Sequence, residues 1–215
     1  MIKREMYIDT ASHSQDVLVA VGTSVTYSYF AMGFVHPGER LMSLLNRQAE
    51  LPEGAIGKSL ARLCKLGLAA DLGTLCRCYM RIFDPRREPF PLEAEHRSEH
   101  FQQRTALLAD LMGFYRAFGA TPNCQRPDHI ACELDFLHFL SLKEAMALDK
   151  GKQKEAQICS DARRKFLKEH LLEWYPAIID LVRSRATEPS DDFYLALADG
   201  FEVLMEKEKE EIEHE

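Results

Sequence analysis

One stretch of the chain, residues 126–140 (RPDHIACELDFLHFL), constrains the fold more than any other. After a loop that contains proline, its apolar residues fall on almost every side of a helix, which is typical of a buried central element. Asp128 and His129 belong to its predicted first turn, and Glu133 lies one turn after His129 on the same face. Spacing alone leaves three interpretations of this polar end open: a metal site, an acid–base pair or a structural cap.

Helical periodicity also predominates in the rest of the chain, and no stretch shows the alternation of a strand or hairpin. Two further long helices are predicted. One is a single helix over Glu93–Phe118, and the other covers Glu155–Tyr175 and is stopped or kinked by Pro176. We therefore predict an all-α fold with about eight or nine helices in one globular domain around a buried central helix.

We place this helical domain at residues 15–205, between a loosely ordered N-terminus (1–14) and an acidic C-terminal tail (206–215). The chain has 34 acidic and 27 basic residues, a net charge of −7, which argues against nucleic-acid binding and favours a basic partner. Its six cysteines form no C-x-x-C pair, and it contains neither a signal-peptide core nor an apolar run of about 18 residues. We therefore expect a cytoplasmic protein with reduced thiols and no membrane span.

The segment His96-Arg97-Ser98-Glu99-His100 has the H-x-x-E-H spacing of inverzincin zinc enzymes. On one helix this spacing places two imidazoles one turn apart, so a zinc-dependent hydrolase using His96, Glu99 and His100 is the alternative function. The charged neighbours of the segment favour a solvated first helical turn instead. The sequence contains no P-loop, G-x-G-x-x-G or nucleophile-elbow motif, so its residues by themselves do not indicate an enzyme.

Four stretches share their residues, spacing and order with a known family. They are Tyr79–Pro85 with Pro91–Glu95, Ala109–Gly119, Pro127–Phe136 (PDHxxxELxF) and Phe166–Trp174. Through these stretches the chain resembles the TorD/DmsD/NarJ family of cytoplasmic chaperones for molybdenum-containing redox enzymes, and the resemblance covers about residues 70 to 205. It is most like the branch serving type II enzymes of the dimethyl sulfoxide reductase family, which include nitrate-, selenate- and chlorate-reducing types. It departs from the family at Leu92 and His96, where aromatic residues are usual.

The resemblance implies a maturation factor that is not an enzyme. Its implied partner is the apo catalytic subunit of a molybdopterin-containing oxidoreductase, bound through an N-terminal segment that is often a twin-arginine signal peptide. The chaperone retains that subunit until the molybdenum cofactor is inserted, and cofactor-delivery proteins are further implied partners. Some relatives bind guanine nucleotides, but no phosphate-cradling loop supports this here, and we expect no tightly bound cofactor.

A basic, partly apolar peptide suits an acidic groove, and this defines the candidate peptide-binding residues. Carboxylates are expected to contact arginines, and aromatic side chains are expected to contact the apolar part of the peptide. Core packing is the competing interpretation for Tyr79 and Phe83, and a helix N-terminal charge is the competing role for Asp128. The client's identity, its signal type and the choice between a monomer and a domain-swapped dimer stay open. The candidates are Glu93, Glu95, Arg126, Asp128, His129, Glu133, Tyr79, Phe83, Tyr115 and Phe118.

Overall fold

A computed structural model describes residues 14–47, 51–98, 100–122 and 126–214, and these ranges consist of α-helices joined by short loops. Within them there is no strand, and a single antiparallel bridge joins Leu92 to His129. The prediction of an all-α fold is confirmed. The helices are α1 Gln15–Gly33, α2 Glu39–Leu45, α3 Gly54–Ala69, α4 Leu72–Ile82, α5 Glu93–Arg97, α6 Phe101–Ala117, α7 Ile130–Asp149, α8 Gln153–Phe166, α9 Leu172–Arg185 and α10 Asp192–Glu213.

Helix α7 is the buried central helix that the sequence predicts. It packs along α1 on one side and along α8 on the other. Its side chains at Ile130, Leu134, Leu137 and Leu140 are fully buried. Each such side chain removed from water contributes about 2 kcal/mol, so this helix carries a large share of the apolar burial.

Helix α10 forms the second centre of packing, against α3 and α9. Two glycines lie where α10 comes close to a neighbouring helix, Gly33 in α1 and Gly67 in α3. A Cβ at Gly33 would lie 2.4 Å from Leu197 Cδ1, and one at Gly67 would lie 2.9 Å from Phe193 Cε2. A larger residue at either position would therefore require these side chains of α10 to shift.

The last helix continues through residues 206–213, the first part of the predicted acidic tail. Glu208 in this part is buried, accepts a hydrogen bond from the Tyr27 hydroxyl at 2.7 Å, and pairs with Arg163 Nη1 at 3.0 Å. Burial raises the pKa of Tyr27 well above its usual value, and the Glu208 carboxylate raises it further. This network joins α1, α8 and α10 through one carboxylate.

The prediction of a single helix over Glu93–Phe118 is wrong. The chain leaves the helical region at Ser98 (φ −129°, ψ 113°) and at His100 (φ −119°, ψ 148°), which separates α5 from α6. His100 caps α6: its side chain accepts from the backbone of Gln103, and its own N–H donates to Gln103 Oε1 at 3.2 Å. This reciprocal capping box satisfies backbone donors that would otherwise require the helix to continue.

Pro176 does not stop the late helix, because it lies inside α9. The irregularity comes earlier, as a π-helical turn over Leu167–Leu171 in which the Leu172 N–H donates to the Leu167 carbonyl, five residues back. This turn shifts the hydrogen-bond register just before the position where proline lacks its N–H. Such turns are frequent at functional sites.

The cysteines depart from the prediction at one position. Cys64, Cys76, Cys78 and Cys159 are free thiols. Cys132 is disulfide-bonded, so the prediction that all thiols are reduced is wrong there; a disulfide depends on proximity in the fold rather than on sequence spacing.

The predicted loosely ordered N-terminus lies almost entirely outside the described residues. Among the described helices, none is both long and apolar enough to cross a bilayer.

We expect Glu208→Ala to lower the free energy of unfolding by about 3 kcal/mol, because it leaves the Arg163 guanidinium buried without its nearest carboxylate. Urea denaturation followed by circular dichroism measures the change. Glu210→Ala is the matched control, since Glu210 is exposed on the same helix and the same charge is removed. Equal stability of the two variants would show that the network does not anchor α10.

Candidate functional site

Two short segments, residues 91–93 and 128–130, pair through a bridge between the extended residues Leu92 and His129 and form the frame of the candidate site. The Glu93 N–H donates to the Asp128 carbonyl at 2.8 Å, and the Ile130 N–H donates to the Pro91 carbonyl at 3.1 Å. His129 is therefore extended (φ −78°, ψ 135°) and is the N-cap of α7, which begins at Ile130. The prediction that Asp128 and His129 lie in the first helical turn is wrong, because this pairing holds their backbone outside the helix.

A buried arginine fixes the loop that leads into the first segment. Arg185, at the end of α9, donates to the carbonyls of Ile82 at 2.9 Å, Arg87 at 3.1 Å and Pro89 at 3.0 Å. Its guanidinium thus satisfies three backbone acceptors in and beside the loop between α4 and α5. Arg185 holds residues 82–89 against α9 and so positions Pro91.

Glu93 is fully buried and has two kinds of partner. Arg97, one turn later, pairs with its carboxylate, and His170 Nδ1 lies 3.1 Å from each of its oxygens. Arg97 also donates to the Glu169 carbonyl at 2.7 Å. Because Glu169 and His170 both belong to the π-helical turn, Glu93 and Arg97 connect α5 to that turn.

His170 extends this network to α6. Its Nε2 lies 3.4 Å from Asp110 Oδ2, which is longer than a well-formed hydrogen bond, and Asp110 is 60% exposed. The imidazole also packs edge-on against Phe114 and tilted against Phe166, with ring centroids 5.5 and 4.8 Å away. His170 thus lies between the exposed carboxylate of Asp110 on α6 and the buried carboxylate of Glu93.

Glu133 is fully buried in α7, and Trp174 Nε1 donates to its Oε2 at 3.1 Å. Its Oε1 has no hydrogen-bond partner within the described part of the chain. Burial raises the pKa of Glu133 well above its ordinary range, and the nearby charge of Glu93 raises it further. Trp174 is in turn stacked on His96, with 5.5 Å between ring centroids.

Asp128 is also fully buried, and its carboxylate meets the guanidinium of Arg126 at 3.3 Å from Nε and 3.4 Å from Nη2. The adjacent His129 accepts a hydrogen bond at Nδ1 from the Ala131 N–H at 3.1 Å. Burial lowers the pKa of His129 to about 4, against the opposing effect of Asp128 and with a smaller contribution from Arg126. His129 is thus a neutral acceptor at neutral pH.

The structure brings six of the ten candidate residues together. Beside those already described, Tyr115 is buried and donates from its hydroxyl to the Pro127 carbonyl at 2.8 Å. It therefore supports the second paired segment from α6. The six residues of this cluster are Glu93, Tyr115, Arg126, Asp128, His129 and Glu133.

The other four candidates lie outside this cluster. Glu95 pairs with Arg104 at 3.0 Å, which adds a second ionic link from α5 to α6. Phe118 packs against Phe136, with ring centroids 6.2 Å apart. Tyr79 and Phe83 belong to a separate aromatic cluster with Phe34, His36 and Tyr194.

The zinc alternative assumes that His96 and His100 lie on one helix, and this assumption is wrong. His96 lies in α5, where its Nε2 is 2.9 Å from the Phe90 carbonyl, and His100 is the N-cap of α6. The break between these helices means that the two imidazoles are not one helical turn apart. Glu99 lies outside the described residues. Among the residues that are described, no three His, Cys, Asp or Glu side chains form a group suited to a metal ion.

Sequence reasoning did not assign Arg97, His170, Trp174 or Arg185 to the site. His170 and Trp174 occur with Phe166 at four-residue steps, and a histidine on an otherwise apolar helix face was a usable signal. Arg185 gave no such signal, because its partners are backbone carbonyls about a hundred residues earlier in the chain. The full arrangement fixes charged acceptors in place, which suits recognition of a cation.

Comparisons with known proteins give a consistent set of relatives. Residues 48–180 match the family model described as nitrate reductase delta subunit. The perchlorate reductase assembly chaperone protein of Dechloromonas aromatica (strain RCB) is 34% identical over 129 residues, covering 58% of this chain and 55% of the relative. The chlorate reductase assembly chaperone protein of Ideonella dechloratans is 37% identical over 87 residues, covering 39% and 43% respectively.

A third relative is the selenate reductase assembly chaperone protein of Thauera selenatis, 32% identical over 106 residues, which cover 48% of this chain and 51% of the relative. The chain thus spans about half the length of the curated relatives it matches.

We expect His129→Asn to flatten the acid dependence of stability. Because the folded pKa of His129 is about 4, below its ordinary 6.5, the unfolded chain binds the extra proton between these values. Wild-type stability therefore falls as pH drops from about 6.5 to about 4, by at most about 3 kcal/mol. Asparagine keeps a side-chain acceptor at the N-cap but does not titrate in this range. Urea denaturation across this range tests the prediction, and parallel curves for the two proteins would contradict it.

We expect Glu133→Gln to remove a loss of stability at higher pH. The folded protein retains the Glu133 proton above the ordinary value of 4.5, where the unfolded chain releases it, so wild-type stability falls as pH rises. Glutamine resembles the protonated carboxyl. As pH rises above about 4.5, the variant should gain stability relative to wild type in denaturant titrations. The exposed Glu173→Gln is the control, and a variant curve that follows the wild type would contradict the assignment.

Proposed function

We propose that this chain, which belongs to the nitrate reductase delta subunit family, is an assembly chaperone for a molybdoenzyme. The observation that carries the proposal is the match over residues 48–180, which includes both paired segments of the candidate site. The names of the three relatives support it, since each is an assembly chaperone protein of a reductase. On this proposal the chain acts by stoichiometric binding rather than by turnover.

We propose further that the bound segment is the N-terminal or twin-arginine signal region of an apo catalytic subunit in the cytoplasm. The chaperone holds this subunit while the molybdenum cofactor is inserted, before export or assembly. The supporting geometry is the fixed carboxylate of Asp128 beside the neutral acceptor His129, both on a backbone held from two sides. A planar guanidinium matches such a carboxylate through two parallel hydrogen bonds.

The direct test is complex formation with the catalytic subunits of perchlorate, chlorate and selenate reductases, each prepared with and without its molybdenum cofactor. Size-exclusion chromatography with light scattering measures the stoichiometry. The proposal expects a complex of one chain per subunit with at least one cofactor-free form, and weaker binding of the loaded form. Equal binding of loaded and cofactor-free forms would contradict a role in cofactor insertion, and binding to none of the three would contradict the expectation that this chain binds the subunits of its relatives' reductases.

We expect Asp128→Asn to weaken binding of a synthetic twin-arginine signal peptide by at least about tenfold, because a charge-assisted hydrogen bond becomes a neutral one. Fluorescence anisotropy of the labelled peptide measures the affinity, and circular dichroism checks that helicity is retained. The matched control is Asp161→Asn, which removes the same charge from an exposed position on α8. Equal affinity of the two variants would place Asp128 outside the peptide site.

A further inference from the structure

The backbone around Asp128 is held in place by two hydrogen bonds. The backbone carbonyl of Asp128 accepts the Glu93 N–H at 2.8 Å, and the carbonyl of the preceding Pro127 accepts the Tyr115 hydroxyl at 2.8 Å. The side chain itself is fully buried. An ionised carboxylate at this buried position needs a cation beside it, because an unpaired buried charge is costly.

The cation beside Asp128 comes from the surface. The Arg126 side chain is 50% exposed, and it lies in non-helical backbone two residues before its partner. Its Nε and Nη2 each meet one carboxylate oxygen, at 3.3 and 3.4 Å, whereas charge-assisted pairs of this kind are usually at about 2.7–2.9 Å. The contact has the two-pronged arrangement of a guanidinium on a carboxylate, but it is loose.

The contrast with Glu93 shows what is particular to this pair. Glu93 is equally buried, but its arginine, Arg97, is only 27% exposed and lies on the same helix. His170 meets the same carboxylate from the π-helical turn. Glu93 is therefore neutralised from within the fold, whereas the arginine on Asp128 reaches it from a half-exposed position.

We propose that Arg126 is an internal occupant of a guanidinium site on Asp128, and that an arginine of the client peptide displaces it. This inference rests on the proposed function, and it identifies the chemistry that the site selects. The exchange keeps Asp128 paired throughout, since one guanidinium replaces another. The exchange costs less than breaking the pair outright, because Asp128 is never left buried without a cation. Lysine is a poorer substitute, since its ammonium cannot match both carboxylate oxygens at once.

The test in the binding assay is Arg126→Gln with peptides that carry adjacent arginines, adjacent lysines or adjacent alanines before the same apolar run. Removing the internal competitor should tighten binding of the arginine peptide by about fivefold and leave the alanine peptide unchanged. Arg126→Lys should give a smaller gain in the same direction. Arg62→Gln is the control, because it removes the same charge from an exposed ion pair with Asp199 on another face. Unchanged or weaker binding by both Arg126 variants would overturn the inference.

A second arm does not depend on any client. Arg126→Ala leaves Asp128 without this guanidinium, and millimolar arginine amide should raise the thermal midpoint of that variant while lysine amide does not. Wild type and Arg126→Ala/Asp128→Asn should show no such increase. If arginine amide fails to stabilise Arg126→Ala, the inference is wrong whatever the client is. If it succeeds while wild type binds no signal peptide, the guanidinium site stands and the proposed client contact falls.

Discussion

The candidate site depends on one backbone constraint, the pairing of residues 91–93 with residues 128–130. In a helical protein, segments outside the helices have N–H and C=O groups that still require partners when they are buried. Here the two segments satisfy each other through the bonds from Glu93 to Asp128 and from Ile130 to Pro91. The same pairing sets the first residue of α7 and places His129 as its cap. Arg185 binds the loop before residue 91, and Tyr115 binds the Pro127 carbonyl before residue 128. The backbone therefore determines where the polar side chains lie.

Three buried carboxylates lie around this pairing, and each avoids the cost of an isolated charge in a different way. Glu93 has Arg97 and His170, both supplied by the fold. Glu133 accepts from Trp174, and burial raises its pKa, which favours the neutral form of this carboxyl over the charged one. Asp128 takes its cation from a half-exposed arginine. The three solutions differ in how easily an external group can replace the internal partner, and Asp128 is the one open to exchange.

The sequence alone was enough to predict the all-α fold class, the family and the buried central helix. Helix α7 was predictable because its apolar residues, such as Leu134 and Leu137, report burial through local spacing alone. The sequence did not predict that α5 and α6 are separate helices. His100 caps α6 with its side chain, and the spacing of apolar residues carries no information about such a cap. The π-helical turn and the partners of Glu93 and Glu133 were missed for another reason: they join α5 and α7 to residues 169–174, and no local pattern encodes contacts between distant helices.

The solvent-exposed side chains of the candidate site determine how a bound peptide can affect the rest of the fold. Asp128 and Glu133 are fully buried, whereas Asp110 and Arg126 reach solvent. A ligand shifts a conformational equilibrium only by its difference in affinity between the two states. A cation that replaces Arg126 leaves the charge at Asp128 unchanged, so this exchange by itself gives little reason for α7 to move. Helix α6 contacts this region through the ion pair of Arg104 with Glu95 and through the 3.4 Å approach of Asp110 to His170, so a movement of α6 would change both contacts. Recognition of the arginine and movement of α6 are therefore separable, and only the second needs the buried network to break.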